Sequence, residues 1–359
     1  MLSSFSDLFQ REFFQPECTF APHYRDKFLS RHIVFVDGLL NEAAQLVGNY
    51  FCDNISEVER IGIQQTHIGY LSSVTVPDNA DKLFAAIQKI HTKQKCPLIL
   101  IGHSKGGAES LYCVLKYPEL LISGMVDRVV LIHGAIGGSP LSYRVSDNFA
   151  GRSFSKYLGM GLVSLRPDVA RKSFDDIFES FRKTVATVAR KETVASSDSS
   201  NNISDDSNLC SLTDEVFKKL SNRVFYIRGK CAANTLCWGV RFVIYFCKAP
   251  LDPTIPNDGL LHCNDQMYKN FGVDLGILEC DHIDLVIGGM VTNAAPDRRK
   301  AFTRAFLSAI YQSEILEESS LRETMIKSSS KVTEDSLNEE ATEDSLKSAD
   351  SAKDNSIKK

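Results

Sequence analysis

Several things are missing from this 359-residue chain, and each absence removes a class of function. No window holds the roughly 18 or more consecutive apolar residues that span a bilayer as a helix. The first residues, MLSSFSDLFQREFF, alternate apolar and charged side chains. They lack the basic start, the continuous apolar stretch and the small-residue cleavage site of a secretory leader. No excess of positive charge exists. The formal charge is -4, and a general nucleic-acid binder needs a basic surface to displace counterions from phosphates. The ten cysteines form no C-x-x-C pair and no Cys/His set with zinc spacing, so they read as reduced thiols and not as a disulfide frame. The phosphate-loop pattern G-x-x-x-x-G-K-[ST] is absent too.

What is there is a core-forming composition, 43% hydrophobic and 24% charged, which excludes bulk disorder. The exceptions are local. From about Glu314 onward there is no Gly, Pro, Cys or aromatic residue, and Thr-Glu-Asp-Ser-Leu occurs twice, at 333–337 and 342–346. Such a segment buries too little apolar surface to offset its ordering entropy, so 313–359 is expected to be a disordered polar tail. The run 195–208, rich in Ser, Asp and Asn, is expected to be a mobile internal loop.

Between these lies an alternation of strands and helices. Apolar runs at His32–Asp37, Pro97–Gly102, Val126–His133, Arg223–Arg228 and Leu275–Cys280 read as buried strands. Helical spacing appears over 78–91, 106–117 and 297–311. The pattern predicts a mostly parallel central sheet with helices on both faces. Residues 141–220, with several helical patterns and no clear strand, read as an inserted helical cap, and residues 1–30 as an N-terminal extension to a domain over 31–312. The apolar stretch 234–248 includes the single Trp, Trp238. It reads as a core element or as an apolar wall of a binding site.

The second strand runs into Gly102-His103-Ser104-Lys105-Gly106 and then a helix. This is G-x-S-x-G in strand–turn–helix context. The flanking glycines let the backbone turn sharply, and the turn lifts the Ser104 hydroxyl out of the sheet. At the N-terminus of the following helix, the Lys105 N–H is placed to stabilise an oxyanion. A serine hydroxyl needs a base to take its proton. With the chain order Ser, then acid, then His, two of the eight histidines remain, His262 and His282. His282 lies just after the last strand, where a base can reach over the sheet edge, and is preferred. Asp258, in the turn Asn257-Asp258-Gly259, is a candidate acid to orient the imidazole. Asp252, Asp265 and Asp284 are rivals by position.

Taken together, Ser104 in Gly-His-Ser-Lys-Gly-Gly, Asp258 in Asn-Asp-Gly-Leu-Leu and His282 in Asp-His-Ile-Asp-Leu-Val resemble the α/β-hydrolase superfamily, and within it the bacterial lipase and polyester-depolymerase branch. The stretch Gly138-Ser139-Pro140-Leu141 is similar to that branch's lead into the lid. The resemblance spans roughly residues 30–312. It implies an α/β-hydrolase fold and a catalytic triad of Ser104, Asp258 and His282. It also implies an oxyanion hole from the N–H groups of Leu39 and Lys105, with no metal or organic cofactor. Asp37 stands where the family commonly has His, which places a carboxylate near the oxyanion loop. His103, Leu40 and Trp238 are the expected substrate-binding residues.

The implied activity is hydrolysis of carboxylic esters, first of all lipid or fatty-acyl esters, through an acyl-enzyme. The alternatives are an acyltransferase or thioesterase on the same triad, or a binding protein that keeps the fold without turnover. The expected partner is a small-molecule or lipid ester, with no nucleic acid and no transmembrane segment. Peripheral membrane contact and the partner of the tail stay open. A cytoplasmic location is expected, with one alternative: the Glu- and Ser-rich end is similar to C-terminal signals of bacterial effectors exported without a cleaved leader.

Overall fold

The computed structural model describes residues 4–14, 22–39, 49–70, 72–144, 159–196, 206–247, 251–289, 291–319 and 322–323. It divides into two units, Ser3–Ser308 and Ala309–Lys359.

Among the described residues, the first unit has six strands: β1 His32–Val36, β2 Gln64–Ile68, β3 Leu98–His103, β4 Val126–Ile132, β5 Val224–Lys230 and β6 Val273–Glu279. All neighbours pair parallel, in the order β2-β1-β3-β4-β5-β6. The sequence predicts five of these strands. The sixth, β2, reads Gln-Gln-Thr-His-Ile and lies half exposed at an edge, so it shows no buried apolar run. β1 and β3 are buried at every position, as expected of parallel strands covered on both faces.

Helices cover the sheet. Val76–Gln94 starts on an N-cap in which Thr75 Oγ1 accepts from the Asp78 N–H, with proline in the first turn. It buries Ala80, Leu83 and Ile87 in the core with β1, β3 and β4. Each such fully buried Leu, Ile or Val contributes about 1.5–3 kcal/mol relative to exposure. The N-terminal helix Phe5–Phe14 sets the edges of Phe5 and Phe9 against Phe302, at 5.9 and 6.0 Å between ring centroids. Arg304 bridges Glu12 and Glu57 beside them. The expected extension therefore packs onto the domain through its described part.

The segment read from the sequence as a cap, 141–220, lies between β4 and β5. It includes Leu141–Arg144, Pro167–Ser196 and Asp206–Ser221. Phe174, Phe181 and Val185, spaced seven and four residues apart, form the buried stripe of the long helix, and Phe181 meets Phe271 at 5.2 Å. Of the expected mobile loop, 197–205 lie outside the described residues. In the second unit residues 309–319 and 322–323 are helical, so the expected tail begins in helix, and 324–359 lie outside the described residues. No described helix is long and apolar enough to cross a membrane.

Candidate active site

The strand order reverses between β1 and β3, because β2 lies outward of β1 and all later strands lie on the other side. Open parallel sheets bind ligands at such a crevice, beyond the carboxyl ends of the strands. Ser104 sits there, one residue after β3. Its backbone has φ 54 and ψ -121, a conformation that side-chain-bearing residues rarely adopt. The turn is possible because its neighbours lack side chains. A Cβ on Gly106 would fall 2.2 Å from the Asp37 carbonyl oxygen, and one on Gly102 2.5 Å from the Gly106 carbonyl oxygen. Gly38 is as constrained, since its Cβ would lie 2.9 Å from Ser104 Cβ.

The structure brings Ser104, His282 and Asp258 together from three loops. Ser104 Oγ lies 2.9 Å from His282 Nε2, and His282 Nδ1 lies 2.7 Å from Asp258 Oδ2. The carboxylate accepts at Nδ1, so that nitrogen carries the proton and Nε2 is free to accept from the hydroxyl. Asp258 is fully buried. Its Oδ1 accepts from the N–H groups of Leu260 and Leu261, at 3.0 and 2.8 Å, and its Oδ2 also accepts from Gln266 Nε2 at 3.1 Å. Burial alone would raise this carboxyl. The charge and hydrogen bond of His282, with His133 and the Leu260 N–H, outweigh it and hold Asp258 below the ordinary aspartate range.

The rival residues lie elsewhere. Asp265 Oδ1 accepts from Arg171 of the cap at 2.8 Å, Asp284 from Thr292, and Asp252 from Thr254 in its own turn. His262 faces Asp265 at 3.5 Å. The Lys105 side chain is buried and its ammonium pairs with Glu109. Leu39 is half-buried in the turn after β1. Asp37 does not stand over this turn as a free carboxylate. Its Oδ1 is 2.5 Å from His67 Nε2, and His67 belongs to β2, on the side of β1 away from Ser104.

Among the expected substrate-binding residues, His103 is corrected. It is wholly buried, with Nδ1 on the Tyr50 hydroxyl at 2.7 Å and Nε2 on the His282 carbonyl at 2.8 Å, so it faces the interior. Leu40 lies outside the described residues. Trp238 opens the helix Trp238–Cys247 and is 60% exposed. The helix has an inner and an outer side. Val240 packs with Leu236 and Cys237 on the inner side, while Trp238, Phe242 and Tyr245 are exposed.

Sequence reasoning missed Gln266, Tyr50 and His133. Gln266 is buried and ties Asp258 to the backbone of Gly229 through both ends of its amide. Nothing local marks it. Among the described residues, two groups could bring donor atoms to a shared metal ion, His103 with His133 and His282, and Cys237 with Asp281 and Asp284. In both, hydrogen bonds already run inside the group: both outer histidines bond to the His282 carbonyl, and Asp281 accepts the Cys237 and Asp284 N–H groups. The eight described free cysteines include Cys237 and Cys280, whose thiols burial pushes above the usual range.

No protein-family model matches the chain, and no curated protein matches it. Among solved structures it is similar to a metagenomic carboxyl esterase at 20% identity and a TM-score of 0.53, over 81% of this chain and 76% of that one. It is also similar to the mature form of the Bacillus licheniformis lipase BlEst2 at 19% identity and a TM-score of 0.44, over 70% of this chain and 84% of that one. The first of these is near enough in three dimensions to bear on the fold. With its all-parallel six-stranded sheet, the strained serine turn after β3 and this likeness, the chain has the α/β-hydrolase fold.

Proposed function

We propose that the chain is a serine hydrolase of carboxylic esters with an apolar acyl group. The observation that carries this reading is the continuous chain of hydrogen bonds from Ser104 Oγ through His282 to a buried, ionised Asp258. In the reaction, His282 Nε2 takes the Ser104 proton as Oγ attacks the ester carbonyl carbon. Asp258 holds the imidazole in the working tautomer and stabilises its cation. The tetrahedral oxyanion is received by the N–H groups of Lys105 and Leu39, a contribution of about 2.7–4 kcal/mol per donor in serine hydrolases. His282 then protonates the departing alcohol. In the second half it draws a proton from water, which attacks the acyl-enzyme and restores Ser104. The pairing of Asp37 with His67 supports the oxyanion assignment, because it holds the carboxylate on the β2 side.

The acyl preference is read from a cavity of about 150 Å³ between residues 160–174, the start of helix Val76–Gln94 and the loop after β4. Its lining is mostly carbon, from Val76, Ala135, Val163, Val169, Ala170 and Phe174. Ala135 ties it to the elbow, since its N–H donates to the Ser104 carbonyl at 2.9 Å. Ligand sites of this kind take an apolar group with few polar anchors.

A series of p-nitrophenyl esters of increasing acyl length tests the proposal. Turnover that is lost in Ser104→Ala and rises from acetate to a medium or long acyl chain is expected. Acetate turned over far better than longer chains would contradict the apolar acyl site. No turnover of any ester by folded protein would contradict hydrolysis itself.

A further inference from the structure

His282 belongs to a loop after β6 with no regular structure of its own, yet its main chain is held at both ends. Its N–H donates to the Asp258 carbonyl at 3.0 Å. Its carbonyl oxygen is approached by two buried imidazoles, His103 Nε2 at 2.8 Å and His133 Nδ1 at 3.1 Å. A carbonyl accepts and cannot donate, and it has two lone pairs. Both ring nitrogens that face it therefore carry protons. That fixes two tautomers. His103 has a bare Nδ1, which accepts from the Tyr50 hydroxyl at 2.7 Å. His133 has a bare Nε2, which faces the Cys280 thiol at 3.7 Å.

The placement of the two rings is specific. His103 is the last residue of β3 and His133 follows β4 directly, so the loop is pinned to the two central strands. His103 and Ser104 are adjacent, and both bond to His282, one to its carbonyl and one to its imidazole. His133 has φ 46, a left-handed backbone that costs energy for a side-chain-bearing residue and persists only where its surroundings over-determine it. Room for its ring comes from Gly229, whose Cβ would lie 2.6 Å from His133 Nε2.

We infer that His103 and His133 are positioning residues that clamp the main-chain carbonyl of His282 and so set its imidazole between Ser104 and Asp258. The inference rests on the serine-hydrolase reading. Burial drives both rings below the ordinary 6.5, His103 well below and His133 to about 4, so they stay neutral beside the imidazolium that forms on His282. Neutral N–H donors hold the loop without opposing that cation.

The test uses replacements that keep or remove the donor. The side-chain N–H of Gln can stand in for Nε2, and that of Asn for Nδ1. His103→Leu and His133→Leu are expected to lower kcat by about 10- to 100-fold with KM nearly unchanged, as a small misplacement of a catalytic group does. His103→Gln and His133→Asn should recover most of that loss. Tyr50→Phe, which removes only the outer support of His103, should cost a few-fold. Proton NMR of the full chain supplies a readout that needs no turnover. The downfield signal of the His282 Nδ1 proton should broaden into solvent exchange in the Leu variants and stay sharp in His103→Gln and His133→Asn.

Folded Leu variants with wild-type kcat and an unchanged signal would overturn the clamp. So would Gln and Asn variants as impaired as the Leu ones. Should the Leu variants fail to fold, Tyr50→Phe and the Gln and Asn pair decide by the same two readouts. A wild type without ester turnover would refute the hydrolase reading, while the NMR comparison would still judge the clamp.

Discussion

The acid–base side of the site and the cap side are made of different material. Around Asp258 and His282, polar atoms are buried and committed: Asp258 alone takes four hydrogen bonds, from Leu260, Leu261, Gln266 and His282. The cap and the helix Trp238–Cys247 present carbon to the outside, with Met160 and Trp238 each 60% exposed and Tyr245 79%. Buried polar groups tolerate little displacement, because a lost partner leaves a desolvated atom behind. Apolar contacts are non-directional and repack more readily. On the proposed function, reaction chemistry belongs to the first region and choice of substrate to the second. Substitutions on the polar side should therefore move kcat, and those on the apolar side should move preference among esters.

The largest effect expected is from Asp258→Asn. An amide at this position stabilises the wrong imidazole tautomer, and kcat should fall on the order of 10⁴-fold with the fold retained, as in other triads. Ester kinetics with circular dichroism of the variant checks both halves. A loss of less than tenfold in a folded variant would break the assignment of chemistry to this side.

Next comes pH. The His133 ring has a folded-state pKa of about 4, below the ordinary 6.5 that it regains on unfolding. Between those values the unfolded chain binds the extra proton, so stability is complete above 6.5 and declines as pH falls toward 4. The decline from this one ring is roughly 3 kcal/mol. Asp258 adds a loss at lower pH, as its depressed carboxyl is protonated. Urea unfolding at a series of pH values should show this slope, to which His103, also held below 6.5, contributes, and His133→Asn should reduce it. An equal slope in the variant would place the proton uptake elsewhere.

The smallest effect probes the cap. Ala170→Leu adds carbon to the cavity beside Phe174. It should shift preference toward shorter acyl groups by roughly tenfold, the scale of a few methylenes in an apolar pocket. The phosphonylation rate of Ser104 by a small probe should stay at the wild-type value. A general loss across all chain lengths would blur the division between the two sides.

How far the sequence reveals this arrangement follows the same division. Buried strands are legible because parallel strands covered on both faces must be apolar throughout, as Ile33–Val36 and Leu98–Ile101 are. β2 is not, because an edge strand needs no such run. Ser104 is legible because its turn is local: two glycines must flank it whatever the rest of the chain does. Asp258 could not be separated from Asp265 or Asp284 by position, and the structure parts them by their partners: His282 for Asp258, Arg171 for Asp265 and Thr292 for Asp284. His133 and Gln266 carry no local signal at all. His133 meets His282 across 149 residues, and such a contact leaves no period or spacing to read.

One measurement bears most directly on the central claim. Full-length protein treated with a fluorophosphonate and digested for peptide mass spectrometry should yield a single phosphonylated peptide, modified at Ser104, with no adduct in Ser104→Ala. Folded wild type that takes no label, or label that maps to another residue, would contradict the account.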